Sequence, residues 1–193
     1  MPVYPDLLIL RHGQTIWNAA GRFQGQQDSP LTKLGRAQAA AQHEILTEIA
    51  TDERFDLFCS PLGRTRQTAE IALAGRKTPI ISDDRLMEIS VGQLEGLTML
   101  DIEHEFPEVI RDRLPFEWNF HCPGGESFTD LKERVQSWLG DLTNPTIVVT
   151  HGIVSRMMRG LVLGLDIKGM EQLSGGQGMV YFIKDGVQRK LEA

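Results

Sequence analysis

Three short apolar runs, residues 6–10, 55–59 and 146–150, are separated by segments of helical character, and this alternation constrains the fold more than any other feature. Unbroken runs of Leu, Ile, Val and Phe suit strands covered on both faces rather than strands with one wet side. Residues 33–50 are alanine-rich and helical. Ser60 reads as an N-cap with Pro61 at the first helical position, opening a helix to about residue 73. Ser127 with Asp130 opens another, in which Phe128, Leu131, Val135, Leu139 and Leu142 recur at helical spacing. Residues 153–165 form an apolar helix, and residues 178–184 and 187–191, split by Asp185-Gly186, read as a hairpin. The pattern predicts a three-layer α/β/α sandwich around a mostly parallel central sheet. A chain of 193 residues suits one such domain, spanning 1–193. Two stretches, residues 13–31 and 92–123, are too long for plain connectors and so attract functional interest.

In a parallel sheet, ligands bind at the carboxyl ends of the strands. The first run ends there in Arg11-His12-Gly13, and the third in His151-Gly152. A neutral imidazole can attack phosphorus and form a phosphohistidine. An adjacent guanidinium offers a planar fork of donors that matches phosphate, and glycine lets a phosphate approach the backbone. Arg64, in the first turn of the helix after Pro61, can reach back over the strand ends. Arg66 lies about 200° around the same helix, so only one of the two faces the site. His43, His104 and His121 form no metal-binding spacing, and no metal or other cofactor is expected.

The blocks that carry this chemistry resemble the signature of the histidine phosphatase superfamily, which includes the cofactor-dependent phosphoglycerate mutases. Leu10-Arg11-His12-Gly13-Gln14-Thr15 with Trp17-Asn18 opens the match, followed by Phe23-Gln24-Gly25 and Ser29-Pro30-Leu31-Thr32. Ser60-Pro61-Leu62-Gly63-Arg64-Thr65-Arg66-Gln67-Thr68, Leu86-Met87-Glu88 with Gly92 and Glu95-Gly96, Gly125-Glu126-Ser127 and Val149-Thr150-His151-Gly152 complete it in order. The resemblance implies a phosphoglycerate mutase-like fold with a lid-like insertion at about 92–123. It implies His12 as phosphoryl acceptor, with Arg11, Arg64 and His151 holding the phosphoryl oxygens and stabilising the charge in transit. Asn18 would add a hydrogen bond, and Gln24, Gly25 and Gly152 would line the pocket. Glu88 occupies the acid/base position, protonating the leaving alkoxide and then taking a proton from water. Glu126 and Arg134 match positions expected to support the loop.

The same chemistry serves a phosphatase and a mutase. Residues 98–122, where the lid is expected, hold Asp101, Glu103, Glu105, Glu108, Asp112 and Glu117 against Arg111 and Arg113, a formal balance of −4. An acidic lid disfavours a multiply anionic substrate, so hydrolysis of a small-molecule phosphomonoester is expected, with a phosphoglycerate mutase as the alternative. A non-catalytic phosphate-ester-binding protein would not need His12 or Glu88. Phe106, Phe116, Trp118 and Phe120 are expected to pack the lid on the domain. A net charge of −6 disfavours nucleic acid as a partner. No run is long enough to span a membrane. Cys59 and Cys122 read as free, packed thiols in a reducing compartment, so a cytoplasmic location is expected. Oligomeric state is not legible.

Overall fold

The computed structural model describes residues 4–51 and 54–193. Six strands form one sheet: β1 (Leu7–Arg11), β2 (Asp56–Cys59), β3 (Ile80–Ser82), β4 (Thr146–Thr150), β5 (Val180–Lys184) and β6 (Val187–Leu191), in the order β3-β2-β4-β1-β5-β6. The first four are parallel and the hairpin β5–β6 closes one side antiparallel. Asp185 (φ 50°) and Gly186 (φ 74°) sit at its turn, the left-handed pair that a two-residue hairpin needs.

Strand periodicity divides the apolar residues between two cores. Leu7, Ile9 and Val148 face one side, under α6 (Phe128–Gly140) and α7 (Gly152–Val162). Leu8, Leu10, Leu57, Ile147 and Val149 face the other, under α2 (Lys33–Ile49) and α3 (Gly63–Ala72). This is the expected three-layer arrangement. Short helices α1 (Ile16–Ala19), α4 (Met99–Glu105), α5 (Pro107–Ile110) and α8 (Ile167–Glu171) complete the chain. The expected capping box at Ser127 and Asp130 forms on α6. No helix among the described residues is long and apolar enough to cross a membrane.

Two local expectations need correction, and one strand was not expected. Helix α3 starts at Gly63 behind Leu62, not behind Ser60. The Ser60 hydroxyl makes only a long 3.4 Å contact with Leu62 N, because its nearer partner is His151. Strand β3 has no counterpart in the sequence reading, since its three residues are exposed at the sheet edge and carry no alternation. The apolar helix expected over residues 153–165 stops at Val162, with Gly164 left-handed (φ 68°) just beyond.

Residues 92–123 fold as short 3-10 and α segments whose Ile102, Val109, Phe116, Trp118 and Phe120 enter the core beneath α6 and α7. Phe116, Phe120 and Phe128 stack edge to face at about 5 Å. Phe106, Phe116 and Phe120 therefore pack as expected, whereas Trp118 packs and also lines a cavity over the strand ends.

Candidate active site

A cavity of about 510 Å³ opens over the carboxyl ends of β1 and β4. Parallel pairing places Arg11 opposite Thr150, so the next residues, His12 and His151, leave the sheet at the same level. His12 N donates to Thr150 O at 3.0 Å. The two imidazoles lie 5.2 Å apart, inclined at 60°.

His12 is 2% exposed, and its Nδ1–H donates to Gly13 O at 2.8 Å, which leaves the Nε2 lone pair free. Burial pushes its pKa well below the usual histidine value, and the charges of Arg11 and Arg64 push the same way. The ring is therefore a neutral imidazole on the cavity wall with a free lone pair. Gly13 does not serve close approach of a ligand to the backbone. A Cβ there would lie 2.1 Å from Gly35 O, so this glycine lets α2 pack against the strand end.

Arg64 is 1% exposed and nearly every donor it has is committed. Its Nη1 reaches Gln27 O at 2.6 Å and Asp28 at 3.2 Å, its Nη2 reaches Gly25 O at 2.8 Å, and its Nε reaches His151 Nδ1 at 3.2 Å. A guanidinium can only donate, so His151 Nδ1 is the acceptor and the ring proton sits on Nε2, 2.8 Å from Ser60 Oγ. Burial and the nearby Arg64 charge hold His151 neutral, its pKa well below the usual value. His151 has no exposed surface and stands behind Arg64 rather than on the cavity wall.

Arg11 is the counterpart with donors to spare: its buried Nε has no partner among the described residues. Gly152 makes room for it, since a Cβ there would meet Arg11 Cζ at 3.2 Å. Glu88 reaches the first turn of α7. Its Oε2 accepts from Gly152 N at 3.0 Å and Ile153 N at 3.3 Å, and its Oε1 from Val154 N at 3.3 Å and its own neighbour Ile89 N at 3.1 Å. A carboxylate suits the positive end of a helix. Behind it, Arg134 forks onto Glu126 at 2.6 and 2.9 Å and donates to the carbonyls of Arg85 and Glu88, pinning the loop that carries Glu88.

Asn18 accepts from Thr15 N and Gln177 Nε2, and its Nδ2 has no partner among the described residues. Gln24 spends both ends of its side chain on Thr15 and Ser29, and Gly25 is left-handed (φ 51°) with its carbonyl on Arg64. Of the residues expected at the site, Arg11, His12, Asn18, Gln24, Gly25, Arg64, Glu88 and Gly152 all reach the cavity wall, and His151 does not. Arg66 points to solvent on the far side of α3, as its angle demands.

Sequence reasoning missed three residues. Ser60 reads as a cap in the sequence but meets His151, Asp28 carries no sequence signal but pairs with Arg64, and Gln177 donates to both His12 O and Asn18. Only Gln177 stands in a recognisable context, the glycine-rich run Gly175-Gly176-Gln177-Gly178. The acidic residues expected in the lid do not reach the cavity. The segment presents Met99, Pro115, Trp118 and Asn119 there instead. Among the described residues no cluster of three or more His, Cys, Asp or Glu is placed to hold a metal.

This geometry has known relatives. Residues 7–186 match the model of the histidine phosphatase superfamily, branch 1. The chain belongs to that family. A Yersinia pestis protein named "Probable phosphoglycerate mutase GpmB" is 32% identical over 165 residues, 83% of this chain and 75% of that protein. The structure of the alpha-ribazole phosphatase from Shigella flexneri aligns with a TM-score of 0.80 and 27% identity, over 97% of this chain and 96% of that one. A mycobacterial glucosyl-3-phosphoglycerate phosphatase aligns with a TM-score of 0.78 and 28% identity, over 98% and 97%.

Proposed function

We propose that this member of the histidine phosphatase superfamily is a phosphomonoester hydrolase acting on a small-molecule phosphate through a phosphohistidine on His12. The observation that carries the reading is a buried, neutral imidazole with its Nε2 free, beside an arginine whose Nε is buried and unpartnered. An unpaired buried donor is costly unless an acceptor arrives, and a phosphoryl oxygen supplies one.

In the proposed reaction the ester phosphate binds against Arg11, the Asn18 amide and the remaining donor of Arg64. His12 Nε2 attacks phosphorus as the ester P–O bond breaks, and Glu88, which enters this step in its acid form, gives that proton to the departing alkoxide and becomes a carboxylate. Water then attacks the phosphohistidine, Glu88 takes its proton, the P–N bond breaks and inorganic phosphate leaves. His151 acts through Arg64, whose Nε it holds, so the guanidinium is oriented before charge develops. The insertion at 92–123 is read as the lid of one domain, closing on its substrate with Trp118. No nucleic acid or membrane partner and a cytoplasmic location complete the proposal.

The test is turnover of an aryl phosphate by the parent and His12→Ala proteins, with chelator present. Activity should fall about a thousandfold or more in a variant that keeps its circular dichroism, and acid-quenched parent should carry label on His12 from a phosphorus-labelled substrate. Retained activity in His12→Ala refutes the phosphohistidine route. The Yersinia relative's name and the arginine-rich cavity favour a mutase as the second reading. Measuring phosphate release and phosphoglycerate isomerisation side by side separates the two.

A further inference from the structure

The segment between α8 and β5 contains Gly175-Gly176-Gln177-Gly178, a run of four residues with one side chain. Gly176 and Gly178, on either side of that side chain, hold positive φ angles of 144° and 83°. Glycine adopts these without the penalty that a Cβ brings, so the chain can turn sharply on both sides of Gln177. The approach to the turn is fixed at Ser174 O, which accepts from Arg159 Nη2 at 2.8 Å and from the Tyr181 hydroxyl at 2.9 Å. Backbone and anchor together present the half-buried Gln177 to the end of β1.

Gln177 Nε2 lies 3.1 Å from His12 O and 3.2 Å from Asn18 Oδ1. The polarity of this chain of contacts is set at both ends by the backbone. A peptide carbonyl only accepts, so the Gln177 group against His12 O is its NH2. An NH2 only donates, so the Asn18 atom against it is the carbonyl oxygen. Thr15 N–H, 3.2 Å away, requires the same oxygen from the other direction. Two donors therefore hold the acceptor end of Asn18, and its Nδ2 is left without a partner among the described residues, in a side chain that lines the cavity with His12.

We infer that Gln177 is a positioning residue, which fixes the Asn18 amide so that its NH2, and not its oxygen, meets the phosphate. Thr15 alone would hold that oxygen by one contact, at the start of a helix of only four residues. Gln177 adds a second restraint from a distant part of the chain. A flipped amide would set its NH2 against two donors and turn a lone pair toward the incoming anion. The inference rests on the hydrolase reading in one respect, that the phosphate binds beside His12 and Asn18.

The test is a double-mutant cycle on parent, Gln177→Met, Asn18→Ala and the double variant. Methionine keeps the length of the side chain and removes the donor. Calorimetry gives the Kd of inorganic phosphate, and turnover of an aryl phosphate gives kcat/KM. Gln177→Met should weaken both by about 3- to 10-fold when Asn18 is present, the effect of one neutral hydrogen bond, and by less than twofold when Asn18 is alanine. An equal loss in both backgrounds, or no loss in the parent background, overturns the inference. If Asn18→Ala does not fold, the Asn18 side-chain amide signals carry the same test. Phosphate should shift them strongly in the parent and weakly in Gln177→Met, and equal shifts overturn the inference. A protein that shows this pattern in phosphate binding but hydrolyses no aryl phosphate keeps the positioning role of Gln177 and loses the hydrolase reading.

Discussion

The contact most open to a decisive experiment is the one between Ser60 and His151. Ser60 is completely buried, and its hydroxyl takes the only ring proton that His151 carries when Arg64 Nε occupies Nδ1. Ser60→Ala leaves two arrangements, both deficient. If the proton stays on Nε2, a buried N–H loses its acceptor, at about 1–3 kcal/mol. If it moves to Nδ1, it faces the Arg64 Nε–H across 3.2 Å, and the bond that orients the guanidinium is lost. The first arrangement appears as lost stability, readable by urea denaturation. The second appears in kcat/KM for an aryl phosphate, where 1–3 kcal/mol corresponds to about a 5- to 150-fold decrease. Nitrogen-15 shifts of His151 report which tautomer the variant adopts. Unchanged stability together with unchanged kcat/KM would refute the claim that Ser60 sets the ring's proton and, through it, Arg64.

Two further perturbations test the frame around the site. In Gly13→Ala the new methyl would meet Gly35 backbone at 2.1 Å, which no side-chain rotation relieves. The loss should be about 3 kcal/mol, or a Tm drop of roughly 6–12 °C for a chain of this size, and a Tm within a degree of the parent would contradict the close packing of α2. The buried histidines also predict a pH dependence. Their native pKa values lie below the unfolded value near 6.5, so between those limits the unfolded chain binds more protons. Their contribution is fully present above about pH 6.5 and is lost as pH falls toward the native values, by up to about 1.4 kcal/mol per unit for each ring. Urea denaturation at pH 5.5 and 7.0 should show a smaller pH effect in His12→Asn than in the parent, and identical effects would show that His12 is not held neutral.

The sheet was legible because Thr146–Thr150 is buried at every position, and a run with no wet face reads as a central strand. Strand β3 was not legible, since exposed edge residues are held by backbone bonds to β2 rather than by any apolar pattern. The histidines and arginines of the site could be found because strand ends carry ligands in this architecture. Their division of labour could not. Whether Ser60 caps a helix or holds an imidazole depends on a partner 91 residues away, and Gln177 meets His12 across 165 residues. The balance of −4 over residues 98–122 says nothing about the cavity for a related reason. A sum of charges carries no direction: Asp101 caps α4, Glu103, Glu105 and Glu108 face solvent, and Arg113 folds back on the carbonyls of Glu108 and Val109.

Arg11 and Arg64 enter the proposed reaction twice. Before substrate arrives, burial and their two positive charges oppose protonation of His12, which keeps the Nε2 lone pair available. They are also the groups placed to draw in the dianion that this lone pair attacks. Activating the nucleophile and gathering the electrophile are then consequences of one field, and neither guanidinium can be neutralised without weakening both. The field is fixed in advance on one side, where Asp28, Gln27, Gly25 and His151 hold Arg64, and left open on the other, where Arg11 Nε lacks a partner. A rigid donor beside an unsatisfied one meets developing charge with little reorganisation, while the unsatisfied donor gives the arriving phosphate a reason to bind.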